Sequence, residues 1–232
     1  MNFVEEVNRL GVIINDQQLE KFSIYYKELV ETNEKMNLTA ITEESEVYKK
    51  HFLDSLELLR VIQIGEKIEM CDVGSGAGFP SIPLAIVNDK INVTIIDALN
   101  KRINFLNTLS SKINLNNVIA LHKRAEDYAK EKREFFDVVT ARAVARLNIL
   151  AELCLPLTKI EGYFIAMKGS TGTEELEEAS KAIATLGGKL EKIVSFELPE
   201  TLDAREIIVI RKIKNTPNKY PRAFAKIKER PL

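Results

Sequence analysis

Apolar residues recur at three- and four-residue steps early in the chain. Leu19, Phe22, Tyr26, Leu29 and Val30 share one face of a helix that Asp16 can cap. Asn37-Leu38-Thr39 interrupts the pattern, and a second helical stretch carries Val47, Phe52, Leu53, Leu56, Leu58 and Leu59. No strand-like alternation occurs there, so residues 1–62 read as an N-terminal helical cap. From about residue 68 the rhythm changes. Short, nearly continuous apolar runs at 68–73, 93–97, 118–122, 136–141 and 162–168 have the character of strands buried on both faces of a parallel sheet. Helical stretches such as 101–113 and 173–186 separate them. Two more strands, at 192–198 and 206–213, follow Gly187-Gly188 with no helix between, so an antiparallel hairpin closing one sheet edge is expected. The expected fold is α/β, a Rossmann-like doubly wound sheet of about seven strands with an antiparallel last strand. It occupies residues 63–214, and residues 215–232 are set apart as a basic tail.

Composition narrows the class without naming a function. The 232 residues suffice for one α/β domain and an accessory segment, and 45% hydrophobic with 29% charged residues is ordinary for a globular chain with a core. No run of roughly eighteen apolar residues is present, and Met1–Leu10 lacks the basic flank and apolar stretch of a secretory signal. Cys71 and Cys154 belong to no CxxC pair, which argues against structural zinc or a disulfide framework. A cytoplasmic protein without metal, membrane or DNA partner is the expectation, and a monomer. The net charge of −1 hides an asymmetry: residues 205–232 hold nine basic residues against two acids, a pattern suited to a polyanion or to a solubilising terminus.

The most informative segment is Asp72-Val73-Gly74-Ser75-Gly76-Ala77-Gly78-Phe79-Pro80, an acid-terminated strand running into a glycine loop and then a helix. Glycines let backbone approach a ligand closely, and Pro80 and Pro83 suit a first helical turn. A dinucleotide loop would read Gly-x-Gly-x-x-Gly. Here the third glycine comes one residue early, with Phe79 in its expected place, which suits a cofactor bearing an amino-acid group in place of a pyrophosphate. Asp72 is placed to act on its ammonium, directly or through water. Asp97, about twenty residues on at the end of the next strand, can accept both hydroxyls of a ribose. Glu126 follows the third strand at the height of an adenine ring, although capping or solvated roles also fit both acids. Together these residues point to S-adenosylmethionine and methyl transfer.

The acceptor is approached by exclusion. Methylating C5 of a pyrimidine needs a thiolate, and both cysteines lie in apolar runs that read as core. Amine methylation commonly uses an Asn/Asp-Pro-Pro-aromatic loop after the fourth strand, where this chain has Thr140-Ala141-Arg142-Ala143-Val144-Ala145-Arg146. Guanine N7 carries a lone pair and no proton, so it needs positioning more than base catalysis. Arg142, Arg146 and Lys168 lie at the carboxyl edge of the sheet, where a cation can hold guanine O6 or a phosphate; ordinary surface ion pairs are the competing reading. His122 reads as structural, whereas His51 in His51-Phe52-Leu53-Asp54-Ser55 can orient Asp54 or cover the cofactor.

Asn37-Leu38-Thr39, His51-x-x-Asp54-Ser55, the glycine loop, Asp97…Lys101-Arg102, Arg142-Ala143 and Lys168-Gly169 occur in the order seen in the bacterial glucose-inhibited division protein B family. The chain thus resembles the RsmG-type class I methyltransferases acting on guanine N7 of 16S ribosomal RNA, over nearly its whole length. The resemblance implies cofactor contacts at Gly74, Phe79, Ala125, Glu126 and Arg142, the last near the reaction centre. Asp97 is added from the ribose argument. Arg146, Lys168 and Arg222 are the expected RNA contacts, and the partner is 16S ribosomal RNA or the small ribosomal subunit. Ser81 departs from the family's usual glycine, which touches helix-to-strand packing more than cofactor binding. Two alternatives stay open: a non-catalytic RNA- or ribosome-binding protein that keeps the fold, and a methyltransferase of small molecules or proteins.

Overall fold

Alternation along the strands determines how the core divides. In the computed structural model, β2 (Ile91–Asp97) sends Ile91, Val93 and Ile95 into one apolar cluster and Ile96 into another. β7 (Ala204–Lys212) repeats the split, with Ile207 and Val209 on one side and Ile208 and Ile210 on the other. The structure describes residues 1–232 except 63, 64, 66, 143, 144 and 202. Ala143 and Val144 of the segment after the fourth strand, and the cap boundary at residue 63, therefore lie outside the described residues.

The other strands are β1 (Ile68–Val73), β3 (Val118–His122), β4 (Phe136–Arg142), β5 (Thr158–Lys168) and β6 (Gly188–Glu197). They form one seven-stranded sheet in the order β3-β2-β1-β4-β5-β7-β6. β1 to β5 pair in parallel, and β7 runs antiparallel between β5 and β6, as the missing crossover helix required. β6 begins four residues earlier than its apolar pattern suggests, because Gly188, Lys189 and Leu190 already pair with β7. The strand order reverses between β1 and β4. In open α/β sheets ligands bind at the carboxyl ends of the strands beside such a reversal.

Helices α5 (Ser81–Val87) and α6 (Asn100–Lys112) contribute to the cluster that also holds the cap. The cap comprises α1 (Phe3–Arg9), α2 (Asp16–Met36) and an interrupted helical stretch: α3 (Glu44–Val47), a π-helical turn (Tyr48–Leu53), α4 (Asp54–Leu56) and a 3-10 turn (Glu57–Arg60). Phe3, Phe22, Tyr25, Leu29 and Phe52 are buried in the same cluster as Ile82 and Leu106, so cap and sheet share one core. The cap of α2 is Asn15 instead of Asp16. Its side chain accepts from Gln18 N at 2.9 Å while the Gln18 side chain accepts from Asn15 N at 3.0 Å, a reciprocal capping box.

On the other face lie α7 (Ala125–Glu131), α8 (Leu147–Cys154), α9 (Gly172–Thr185) and the short α10 (Phe224–Glu229). The basic carboxyl segment is docked there. Tyr220 and Ile227 are buried in that cluster, and Arg133 donates to the carbonyls of Tyr220 at 2.9 Å and Thr216 at 2.5 Å. No helix among the described residues is long and apolar enough to cross a membrane.

Candidate cofactor and acceptor site

β1 ends at Val73, and the chain then turns through Gly74, Gly76 and Gly78, at φ 72°, 63° and 105°. Gly78 also needs its small size. A Cβ there would lie 2.6 Å from Ile82 Cγ1 and 2.9 Å from the Tyr25 hydroxyl oxygen. That hydroxyl donates to the Ala77 carbonyl at 2.6 Å, so a cap residue braces the glycine loop.

Beneath the loop the Asp72 carboxylate is wholly buried, and neither oxygen has a hydrogen-bond partner. The Ser81 amide and hydroxyl stand beside it without closing a well-formed bond. Burial pushes its pKa up to about 7, against the pull of Ser81 and Arg142. Asp72 does not line the cavity above, so a direct contact to a cofactor ammonium is not available to it. With its pKa near neutrality, a positive charge above the loop would draw Asp72 toward its ionised form. Ser81, the departure noted in the sequence, is fully buried at the start of α5, and Ile82, Leu84 and Ile86 of that helix join the apolar cluster.

That cavity, of about 600 Å³, opens at the carboxyl ends of β1 and β2. Gly74, Phe79, Asp97, Ala125, Glu126 and Arg142, all expected around the cofactor, line it together. Asp97 is held by Leu99 N at 2.8 Å and by Arg102 at 3.3 Å. Glu126, nearly buried at the start of α7, accepts weakly from Phe224 N at 3.4 Å. Leu99, Leu38, Thr39 and Phe224 also line the cavity without having been expected to. Leu99 could have been read from its place two residues after Asp97; Phe224 carries no such signal.

Phe79 is the meeting point of the cap and the sheet. Its ring stacks on Tyr25 at 5.4 Å and on His51 at 4.6 Å, with the Arg142 guanidinium 4.9 Å from its centroid. Arg142 ends β4, and its Nη1 donates to Asp54 at 2.9 Å. Asp54 also stands 3.3 Å from Arg205 Nε, so one buried carboxylate holds two arginines. Burial outweighs both arginines and raises its pKa. His51 shares a hydrogen bond with the Thr39 hydroxyl at 2.8 Å, which joins two of the motifs that carried the family resemblance. Burial, then Arg142, lowers the His51 pKa to about 4, so its ring is neutral at neutral pH. The tie to Asp54 thus comes from Arg142, and His51 instead covers Phe79.

His51 and Arg142 also line a second cavity of about 560 Å³, whose wall includes Lys50, Arg146, Lys168 and Arg205. The three residues expected on RNA differ in their surroundings. Arg146 is exposed and pairs with the exposed Glu178, a contact of little energetic weight. Lys168 is turned inward, donating to Glu175 and to the Ala145 carbonyl, both at 2.7 Å. Arg222 makes a fork to the fully buried Glu152 at 2.8 and 2.6 Å, with its backbone N–H on the same carboxylate. Both are thus ion-paired inward, which for Lys168 is the competing ion-pair reading that its sequence left open. Both cysteines are fully buried, and burial pushes their thiols far up, which removes a thiolate route.

The seven-stranded sheet with its antiparallel β7, the acid–glycine loop at the strand reversal and the cavity above that loop define a Rossmann-like methyltransferase that takes S-adenosylmethionine as its cofactor. Solved structures share the fold. A 16S rRNA (adenine(1408)-N(1))-methyltransferase variant from Catenulisporales acidiphilia, solved with its cosubstrate, aligns with a TM-score of 0.54 at 12% identity over 66% of this chain and 88% of that one. A fibrillarin pre-rRNA processing protein from Methanococcus jannaschii aligns with a TM-score of 0.52 at 20% identity, over 66% of this chain and 70% of that one. The model of the GidB family, rRNA small subunit methyltransferase G, matches residues 18–208, and the chain belongs to that family. Its relatives include ribosomal RNA small subunit methyltransferase G of Staphylococcus carnosus, 50% identical over 99% of this chain and 97% of that protein. The Bacillus subtilis protein of the same name is 52% identical over 95% and 93%.

Proposed function

We propose that the chain transfers the methyl group of S-adenosylmethionine to N7 of a guanine in 16S small-subunit ribosomal RNA, in the cytoplasm. The observation that carries this reading is that the two cavities share Arg142 and His51 as a wall, so a cofactor in one faces an acceptor in the other. When bound, the cofactor supplies an electrophilic methyl on a sulfonium. Guanine N7 offers a lone pair with no proton to remove, so positive charge passes from sulfur to base and no general base is required. The surroundings suit that chemistry: His51 is a weak base, the Asp54 carboxylate is taken up by two arginines, and no thiolate is accessible.

Arg142 has N–H donors beyond the one on Asp54, enough to hold guanine O6 or a phosphate while leaving N7 free. Arg146, exposed and loosely paired, is the RNA contact on the rim. Lys168 and Arg222 act one step back, by fixing the loop at Ala145 and the carboxyl segment. Incubating the protein with labelled S-adenosylmethionine and small ribosomal subunits, then analysing nucleosides, should give labelled 7-methylguanosine. Any other labelled nucleoside overturns the acceptor.

A further inference from the structure

Seven large apolar side chains are exposed among the described residues, and two of them, Leu99 at 45% and Phe224 at 38%, line the same cavity. Leu99 follows Asp97, the ribose partner, and Phe224 stands against Glu126 and Ala125, where the adenine belongs. Phe224 lies beyond residue 208, where the family match ends, in a segment docked with unusual care. Arg222 is forked onto the fully buried Glu152, Ile227 is fully buried, and Arg133 holds three backbone carbonyls of the approach. Between those anchors the Phe224 N–H meets the Glu126 carboxylate.

Such anchoring is more than a solubilising tail needs, and it leaves one aromatic ring uncovered at the cavity. We infer that Phe224 is a cofactor-binding residue: the carboxyl segment presents its ring as a face on which the adenine stacks, with Leu99 as the other apolar contact. Aromatic side chains bind bases through their faces with little regard for identity, whereas Asp97 reads the ribose. The ring adds affinity for the adenosyl part only, and the methionyl part is indifferent to it. This rests on the cavity taking an adenosyl cofactor and is independent of which base is methylated.

The chain contains no tryptophan, so Phe224→Trp installs a single reporter at the site. Titrating that variant with S-adenosylhomocysteine or adenosine should quench its emission, with the midpoint matching the Kd from calorimetry on the same protein. Phe224→Leu, which keeps apolar bulk but has no aromatic face, should bind both ligands about tenfold more weakly. Phe224→Tyr should stay close to the original chain. Unchanged emission at a ligand concentration where calorimetry shows saturation overturns the proposal, as does unaltered affinity in Phe224→Leu. If the unsubstituted chain fails to bind S-adenosylhomocysteine, the cofactor reading falls and this proposal with it, a result distinct from either of those.

Discussion

Asp54→Asn should uncouple the cap from the acceptor site. The carboxylate is 6% exposed, against 15% for Arg142 and 25% for Arg205, so water does little to compensate either cation for its loss. Asparagine is nearly the same size and can still accept from one arginine through its amide oxygen, but it cannot balance two positive charges. Removing one partner of a buried pair costs about 3–5 kcal/mol. The lower end applies here, because burial already works against the ionised carboxylate and Oδ1 meets Arg205 without a well-aligned hydrogen bond. At about 2–4 °C per kcal/mol for a chain of this size, about 3 kcal/mol lowers Tm by about 6–12 °C. Thermal unfolding followed by circular dichroism reads this directly. Adding Arg205→Met to the variant should recover part of the loss, because one unpaired cation goes with it. Methyl transfer at saturating cofactor should fall about tenfold or more as Arg142 loses its tether. A Tm within about 2 °C of the unsubstituted protein, with turnover intact, would refute the claim that Asp54 holds Arg142 by charge.

His51 gives a pH signature. Its pKa is about 4 in the folded chain and near 6.5 when unfolded, so the unfolded state binds more protons between those values and stability falls as pH drops through that window. Relative to His51→Gln, the unsubstituted protein should lose about 2 kcal/mol between pH 7 and pH 5 in urea unfolding; parallel profiles would contradict the neutral ring. If Asp97 accepts the ribose hydroxyls as proposed, Asp97→Ala should weaken S-adenosylmethionine binding roughly 10- to 100-fold by calorimetry. Cys71→Ala with Cys154→Ala should retain methyl transfer at some cost in stability, since both thiols only fill the core; abolished transfer in a folded double variant would point to a covalent route.

What could be read from the chain and what could not divide along a physical line. Strand alternation, the glycine loop and Asp97 are local: each depends on residues within a few positions, and periodicity or spacing exposes them. Even the mistaken cap at Asp16 had a local remedy, because Gln18 stands three residues after Asn15 and completes the capping box. The contacts that shape the site are remote. Tyr25 reaches the Ala77 carbonyl across 52 positions, Arg142 reaches Asp54 across 88, and Phe224 N reaches Glu126 across 98. No pattern announces such pairs.

Charge misled for the same reason. A cation at a strand end or in a basic tail reads as directed at solvent and RNA, yet Lys168 and Arg222 face Glu175 and Glu152, acids on helices that meet them only in the folded chain. The carboxyl segment is the clearest case. Its net charge suited either a polyanion-binding or a solubilising tail, but the guanidinium of Arg222 is anchored on a carboxylate with no exposure at all. A cation so placed contributes geometry instead of field: it fixes the chain two residues before Phe224, an aromatic ring that no charge count could single out and that lines the cavity at the carboxyl ends of β1 and β2.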